Sequence, residues 1–573
     1  IRQGERQMNT QQNFSRWLES PKVSPAMKEE MRKMSPQEVD ESFFKNIEFG
    51  TAGMRGIIGP GTNRMNFFTI QRAAVGFALY LFETFPKAKE LGVVVSHDNR
   101  RMSREFTMQI TDIFSKMGLK SYIFDALRPT PELSFAVRYK KACGGIMITA
   151  SHNPKEYNGF KVYDQHGCQL VPAKIAKLIA IIDRLPDELA LEIPPSLNRG
   201  EIIVLDSDVD EEYIRLVKEI QLNPALPKRG FKIVYTPNHG TSYVNAMRVF
   251  KDCGYEVYPV LSQVDPDPDF KGTLSPNPEE KKAYIEPIKL AQEIGAHFIV
   301  MTDPDGDRVG VSYLAQSGEY ELFTGNQSAA LLIDYLLGER KKKGLLAKNG
   351  VFYDTIVTSD LGRTIAKSYG LKVETFLTGF KFIGDRIQYY LEHGGPTFEF
   401  GYEESYGCLI APFARDKDGI QAILMYCEMA LFHHLRGKTL DVVYDELQQK
   451  YGYRLDLSYS VEFKGSAGMQ KMRDIMTRLS NRQIKEVLGQ RVVEIRDYIN
   501  SVTRSEKGEA PIDLPKADVV ILVLEDGSTI SVRPSGTEPK CKFYFGIKGT
   551  NAAAIENRPK VLFADLKRQL GIV

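Results

Sequence analysis

The stretch "GVVVSHDNRRMS" at 92–103 runs from an apolar, β-branched segment through a polar turn into a helical pattern. It has two counterparts, "FKIVYTPNHGTSY" at 231–243 and "GVFYDTIVTSDLG" at 350–362. A second apolar run follows each: "SYIFD" at 121–125, "YEVYPV" at 255–260 and "LKVETF" at 371–376. Strands alternating with helices predict α/β units on mainly parallel sheets. Three such runs predict three similar α/β domains.

The remainder reads differently. "YRLDLSYSVEF" and "DVVILVLEDGSTISVRPSG" alternate like antiparallel strands about an Asp-Gly turn at 526–527, and "AAAIENRPKVLFADLKRQL" predicts a closing helix. A smaller α+β domain is expected there. Upstream, "SPAMKEEMRKM" and "SPQEVDESFF" offer Ser-Pro helix starts, and "FGTAGMRGIIGPGTNRM" at 49–65 reads as a long flexible loop. The expected boundaries divide the chain at 1–205, 206–320, 321–440 and 441–573.

Composition narrows the function. The 573 residues carry 75 Lys plus Arg against 73 Asp plus Glu, so no global basic field points to nucleic acid. Any anionic ligand must be held by local clusters. Six cysteines, none in a CxxC pair, signal neither a zinc site nor a disulfide framework, and a reducing cytoplasm is the expected compartment. No apolar run approaches the ~18–20 residues of a membrane helix. The chain begins "IRQGERQMNT" without an initiator methionine, and Met8 is a candidate native start.

Six segments carry chemistry. "DPDGDR" at 303–308 places Asp303, Asp305 and Asp307 at alternate positions around Gly306, after the apolar "AHFIVM". Three crowded carboxylates repel unless a cation neutralises them, and Mg²⁺ takes oxygen ligands. An EF-hand is excluded because its twelfth position would be Leu314. A solvated acidic turn is the plain alternative. "TASHNP" at 149–154 ends the run "GGIMI" with Ser151, where α/β sheets place ligands. A turn or helix cap is its plain alternative. Beside a metal, this serine can carry a phosphoryl group. "RPSGTEPK" at 533–540 offers Arg533, Ser535, Gly536, Thr537 and Lys540, a donor set suited to a phosphate dianion. "GYEESYG" (401–407), "RDKDG" (415–419) and "TGFKFIG" (378–384) supply Glu403, Ser405, Arg415, Lys417 and Lys381. Adjacent carboxylates there suit sugar hydroxyls, and a surface loop is the default for each.

In chain order, "TASHNP", "DPDGDR", "EESYG" and "RPSGTEPK" together resemble the α-D-phosphohexomutase family over essentially the whole chain. "FGTAGMRG", "LTGFKFIG" and "YEESYG" are most similar to its bacterial phosphoglucomutase branch, close to the phosphoglucomutase-2 and phosphopentomutase branch. Tyr402 stands where many relatives have Gly. The resemblance implies four domains around a central cleft and an intramolecular phosphotransferase, an isomerase, acting on glucose 1-phosphate and glucose 6-phosphate. Phosphorylated Ser151 would give glucose 1,6-bisphosphate and receive its other phosphate back. Mg²⁺ would sit on Asp303, Asp305, Asp307 and a phosphoserine oxygen. His152, Arg55 and Arg308 would stabilise the moving group. Lys161 and Lys417 would be the acid and base. Thr378, Gly379, Lys381, Glu403, Ser405 and Arg415 would meet the sugar, and Arg533, Ser535, Gly536, Thr537 and Lys540 the idle phosphate. The partners expected are sugar phosphates, with neither nucleic acid nor membrane, and monomer and dimer both stay open. A phosphopentomutase or phosphomannomutase with the same chemistry is the near alternative, and a non-catalytic sugar-phosphate sensor the distant one.

Overall fold

The computed structural model describes residues 3–50, 53–463, 465–534 and 540–572. Four sheets divide the chain in order. In the first, Gly144–Ile148, Val93–His97, Ser121–Ile123 and Ile202–Val204 run parallel, and Tyr157–Asp164 adds antiparallel beside Gly144–Ile148. In the second, Lys232–Thr236 lies between its parallel neighbours Glu256–Pro259 and Phe298–Thr302, and Val309–Leu314 and Tyr320–Leu322 close one edge antiparallel. The third centres on Gly350–Thr355, parallel to Lys372–Phe376 and Thr397–Glu403, with Gly407–Leu409 antiparallel at its edge. The fourth is antiparallel throughout its described pairs. The three runs read as α/β units and the α+β C-terminal unit therefore fold as expected.

Register positions the site. His97 is level with Ile148 in the first sheet. The segments that follow, Asp98–Arg100 and Thr149–Pro154, therefore leave the sheet side by side at its carboxyl edge, where open α/β sheets bind ligands. The second sheet does the same for the loop after Thr302.

Two expectations are corrected. Residues 49–57 are not all loop: Phe49–Gly50 and Gly53–Ile57 form strands, the latter pairing with Tyr157–Asp164. Gly53 serves close approach rather than flexibility. A Cβ on Gly53 would stand 2.3 Å from the Phe160 carbonyl oxygen. The closing helix is broken into Ala552–Ile555 and Arg558–Leu570, with Pro559 in the first turn of the second. The Ser-Pro starts hold: Ser24 and Ser35 cap their helices, and Ser35 forms a capping box with Glu38.

The first three sheets are knitted by one apolar cluster that includes Tyr163, Tyr213, Phe352 and much of the helix Gly419–His434. The fourth unit has its own core of Val520, Leu522, Phe543 and Leu562. It docks on the third through Ile356, Val357 and Leu377 against Tyr498, Val519 and Ile521. Asp360 also joins Arg454 and Lys548 across this seam, each at 2.6 Å. No described helix is long and apolar enough to cross a membrane.

Candidate active site

Ser151 is 2% exposed and holds a left-handed backbone, φ +54°. That conformation is uncommon for a residue with a Cβ and needs support from its surroundings. The support is visible. The Ser151 N–H donates to Thr149 Oγ1 at 2.8 Å, and that hydroxyl donates to Asp98 Oδ2 at 2.6 Å. Arg100, 3% exposed, donates to the carbonyls of Ser151 (2.7 Å), Asn153 (2.5 Å), Pro154 (2.7 Å) and Tyr157 (3.1 Å). Its guanidinium also pairs with Asp98 at 3.3 Å. Asp98 and Arg100 were not singled out from sequence. Their signal was the place of "SHDNRR" at the end of a parallel strand beside the one that precedes Ser151.

So held, the Ser151 hydroxyl donates to Asp303 Oδ2 at 2.8 Å and lies 3.2 Å from His152 Nδ1. Burial, then the nearby Arg308 and Arg55 guanidiniums, push His152 well below the usual imidazole range, so its ring is neutral. Arg55 donates to Asn153 Oδ1 at 2.7 Å. Arg308 donates to Glu279 at 3.0 Å, a partner that sequence reading did not name.

Asp303, Asp305 and Asp307 are all buried, with a ligand oxygen from each within 4.8 Å of the others. Gly306, at φ +74°, turns the chain between them, and the N–H groups of Asp307 and Arg308 point at Asp303 Oδ1. Burial, then the two neighbouring carboxylates, push Asp303 well above the usual carboxyl range. Oδ1 of Asp305 and Oδ1 of Asp307 are buried without a hydrogen-bond partner among the described residues. Orphaned carboxylate oxygens converging in a buried turn suit a hard cation, and the set is a candidate metal centre.

Two lysines flank it. Lys161 donates to Asp305 Oδ2 at 2.7 Å, an oxygen that also accepts from Thr130. Lys417 lies 3.3 Å from Asp307 and 3.4 Å from Glu403. Burial opposes its charge, but these carboxylates outweigh it and hold Lys417 above the usual lysine range. Glu403 accepts from the Gly379 N–H at 2.7 Å, which fixes the 378–381 loop. Thr378 Oγ1 there is buried without a hydrogen-bond partner among the described residues, and burial lowers Lys381 to about 8.

Across from the Ser151 loop, a cavity of about 320 Å³ brings Arg55, His152 and Asn153 opposite Arg533, Lys540 and Lys542. Lys542 also faces a second cavity, of about 430 Å³, together with Glu404 and Ser405. Lys542 was missed in sequence because it follows the motif by two residues on the strand Lys540–Gly549. Ser535, Gly536 and Thr537 lie outside the described residues. Arg415 is the one described candidate not seen to join the others. It is 3% exposed, its guanidinium donates to Gln388 Oε1 at 3.3 Å beside Arg138, and its backbone N–H donates to Ser134 Oγ at 2.9 Å.

Known proteins match the chain domain by domain. The phosphoglucomutase/phosphomannomutase families for alpha/beta/alpha domains I, II and III and for the C-terminal domain match residues 46–188, 211–315, 324–451 and 479–558. A phosphoglucomutase of Staphylococcus epidermidis is 36% identical over 518 residues, 89% of this chain and 92% of that one. A phosphoglucomutase of Staphylococcus aureus is 34% identical over 539 residues, 93% and 95% of the two chains. The solved open form of parafusin, a phosphoglucomutase from Paramecium, shares the fold at a TM-score of 0.66 and 20% identity, over 92% of this chain and 94% of its own. With all four domain families matched in order and phosphoglucomutases 34–36% identical over most of its length, the chain belongs to the phosphoglucomutase/phosphomannomutase family and is a phosphosugar mutase.

Proposed function

We propose that this enzyme interconverts glucose 1-phosphate and glucose 6-phosphate through a phosphorylated Ser151 and a bound glucose 1,6-bisphosphate. The observation that carries the reading is the buried Ser151 hydroxyl on Asp303, inside a carboxylate cluster with unsatisfied oxygens. Asp303, Asp305 and Asp307 would hold Mg²⁺ with an oxygen of the phosphoserine. When bound, the ion offsets negative charge on the transferring group.

The residues divide the remaining work. A sugar hydroxyl attacks the phosphorus, its new O–P bond forms as the Ser151 Oγ–P bond breaks, and the hydroxyl proton must leave. Lys161 and Lys417, which lie 3.9 and 3.3 Å from Asp307 Oδ2, would take and return that proton. Neutral His152, with Arg55 and Arg308, orients the phosphoryl group. Glu403, Ser405, Thr378 and Lys381 meet sugar hydroxyls. Arg533, Lys540 and Lys542 grip the phosphate that is not reacting, with Ser535, Gly536 and Thr537 of the same motif. Because that grip is for the anion alone, a 1-phosphate and a 6-phosphate are interchangeable there, and its binding energy orients the other end. Arg415, enclosed between Ser134 and Gln388, would act by placing the loop that bears Lys417. The boundaries near 206, 321 and 441 stay part of this proposal.

The test is intact mass before and after glucose 1,6-bisphosphate, with the modified peptide mapped. One phosphoryl group on Ser151, absent from Ser151→Ala together with its turnover, is the expected result. Full turnover in Ser151→Ala, with phosphate mapped elsewhere, overturns the reading. Relative rates on glucose, mannose and ribose 1-phosphates test the sugar, with glucose expected fastest.

A further inference from the structure

The strand Tyr157–Asp164 carries Lys161, and two residues later Tyr163 points to the same face. Lys161 reaches Asp305. Tyr163 reaches in another direction: its hydroxyl donates to Asp416 Oδ2 at 2.9 Å. Gln169 Nε2 donates to the same oxygen at 3.0 Å, and a backbone bridge holds Gln169 opposite Tyr163. The other oxygen, Asp416 Oδ1, accepts the Lys417 N–H at 2.8 Å. Tyr163 is fully buried and Asp416 is 2% exposed.

The neighbours of Asp416 show why this contact matters. Every residue of the turn 415–419 is fastened to another part of the molecule. The Arg415 N–H donates to Ser134, Asp418 accepts from Tyr213, and the Gly419 N–H donates to the Gly306 carbonyl. Only the Lys417 side chain projects from this turn to the carboxylate cluster and the sugar loop. We propose that Tyr163 and Gln169, acting through Asp416, are positioning residues for Lys417, so that one strand of the first sheet places both candidate proton-transfer lysines. The two half reactions then depend on one rigid element, although Lys417 belongs to the third unit.

This rests on the mutase reading with Lys417 at the site, and the experiment separates the two. Wild-type turnover on glucose 1-phosphate tests the reading, and ratios between variants test the clasp. Tyr163→Phe keeps the buried ring and removes one hydrogen bond to a carboxylate. It should lower kcat about tenfold, the scale of one charged hydrogen bond, with KM changed less than roughly twofold. Gln169→Leu should act in the same direction, and the double variant further. The deciding measurement repeats Tyr163→Phe in a Lys417→Gln background, where it should change kcat less than about twofold because the group it positions is gone. In a Lys161→Gln background the tenfold effect should persist. An equal loss in the Lys417→Gln background overturns the proposal, since a general packing role would add there too. Unchanged kcat in Tyr163→Phe, Gln169→Leu and their double variant also overturns it.

Discussion

Arg100→Ala is the sharpest test of how Ser151 is held. Arg100 meets four carbonyls of the 151–157 segment from a position that water scarcely reaches. Burial already pushes the Asp98 carboxyl above its usual range despite Arg100, so Asp98 answers the loss by taking up a proton rather than remaining a bare buried charge. The cost is then set by the carbonyls. At about 1 kcal/mol each, the loop loses ~4 kcal/mol of local stability, roughly a thousandfold in its opening equilibrium. Hydrogen–deuterium exchange over 145–160 reads this directly as lost protection. The rate at which glucose 1,6-bisphosphate phosphorylates Ser151, followed by intact mass, should fall by at least about a hundredfold, because Ser151 no longer holds its left-handed backbone. Arg100→Lys should recover little, since an ammonium cannot span four acceptors as a planar fork does. Arg101→Ala is the control: that side chain is 61% exposed and pairs only with Asp269 among the ion pairs described, so the change should be near neutral. Wild-type protection and phosphorylation rate in Arg100→Ala would refute the reasoning.

Four further outcomes are expected. Asp305→Asn should weaken Mg²⁺ binding, read by titration calorimetry, and unchanged affinity would remove Asp305 from the metal set. Arg533→Ala should lower kcat/KM on glucose 1-phosphate about ten- to a hundredfold while Ser151 still accepts a phosphoryl group, and an unchanged kcat/KM would show that this loop is not the phosphate grip. Burial, then Glu403, raise Glu404 to about 7, so it is mostly neutral below that pH and ionised above it. KM for the anionic substrate should therefore rise as pH increases from 6 to 8, and Glu404→Gln should flatten that rise; an identical slope in the variant excludes Glu404. A Cβ on Gly407 would stand 2.1 Å from Lys417 Cδ, so Gly407→Ala should displace that lysine and bring kcat near that of Lys417→Gln.

What is local was legible in the order of the residues. Alternating apolar runs and Ser-Pro caps declared the elements, because backbone periodicity and capping are decided within a few residues. The "DPDGDR" turn declared its carboxylates for the same reason: one short segment contains all three. How segments far apart meet came from the packing of the folded chain. Arg100 reads as one of two adjacent arginines, and nothing local says which of them is buried under the Ser151 loop and which is exposed. That follows from His97 lying level with Ile148. Gly53 reads as flexibility until the strand Tyr157–Asp164 is beside it. Arg415 was grouped with Lys417 by nearness in sequence, yet the two side chains leave one turn for different surroundings. The Tyr163 hydroxyl gains meaning only from Asp416, 253 residues away. The physical reason is common to all of them: a buried polar group must find its partner wherever the fold brings one, and chain separation carries no record of that choice.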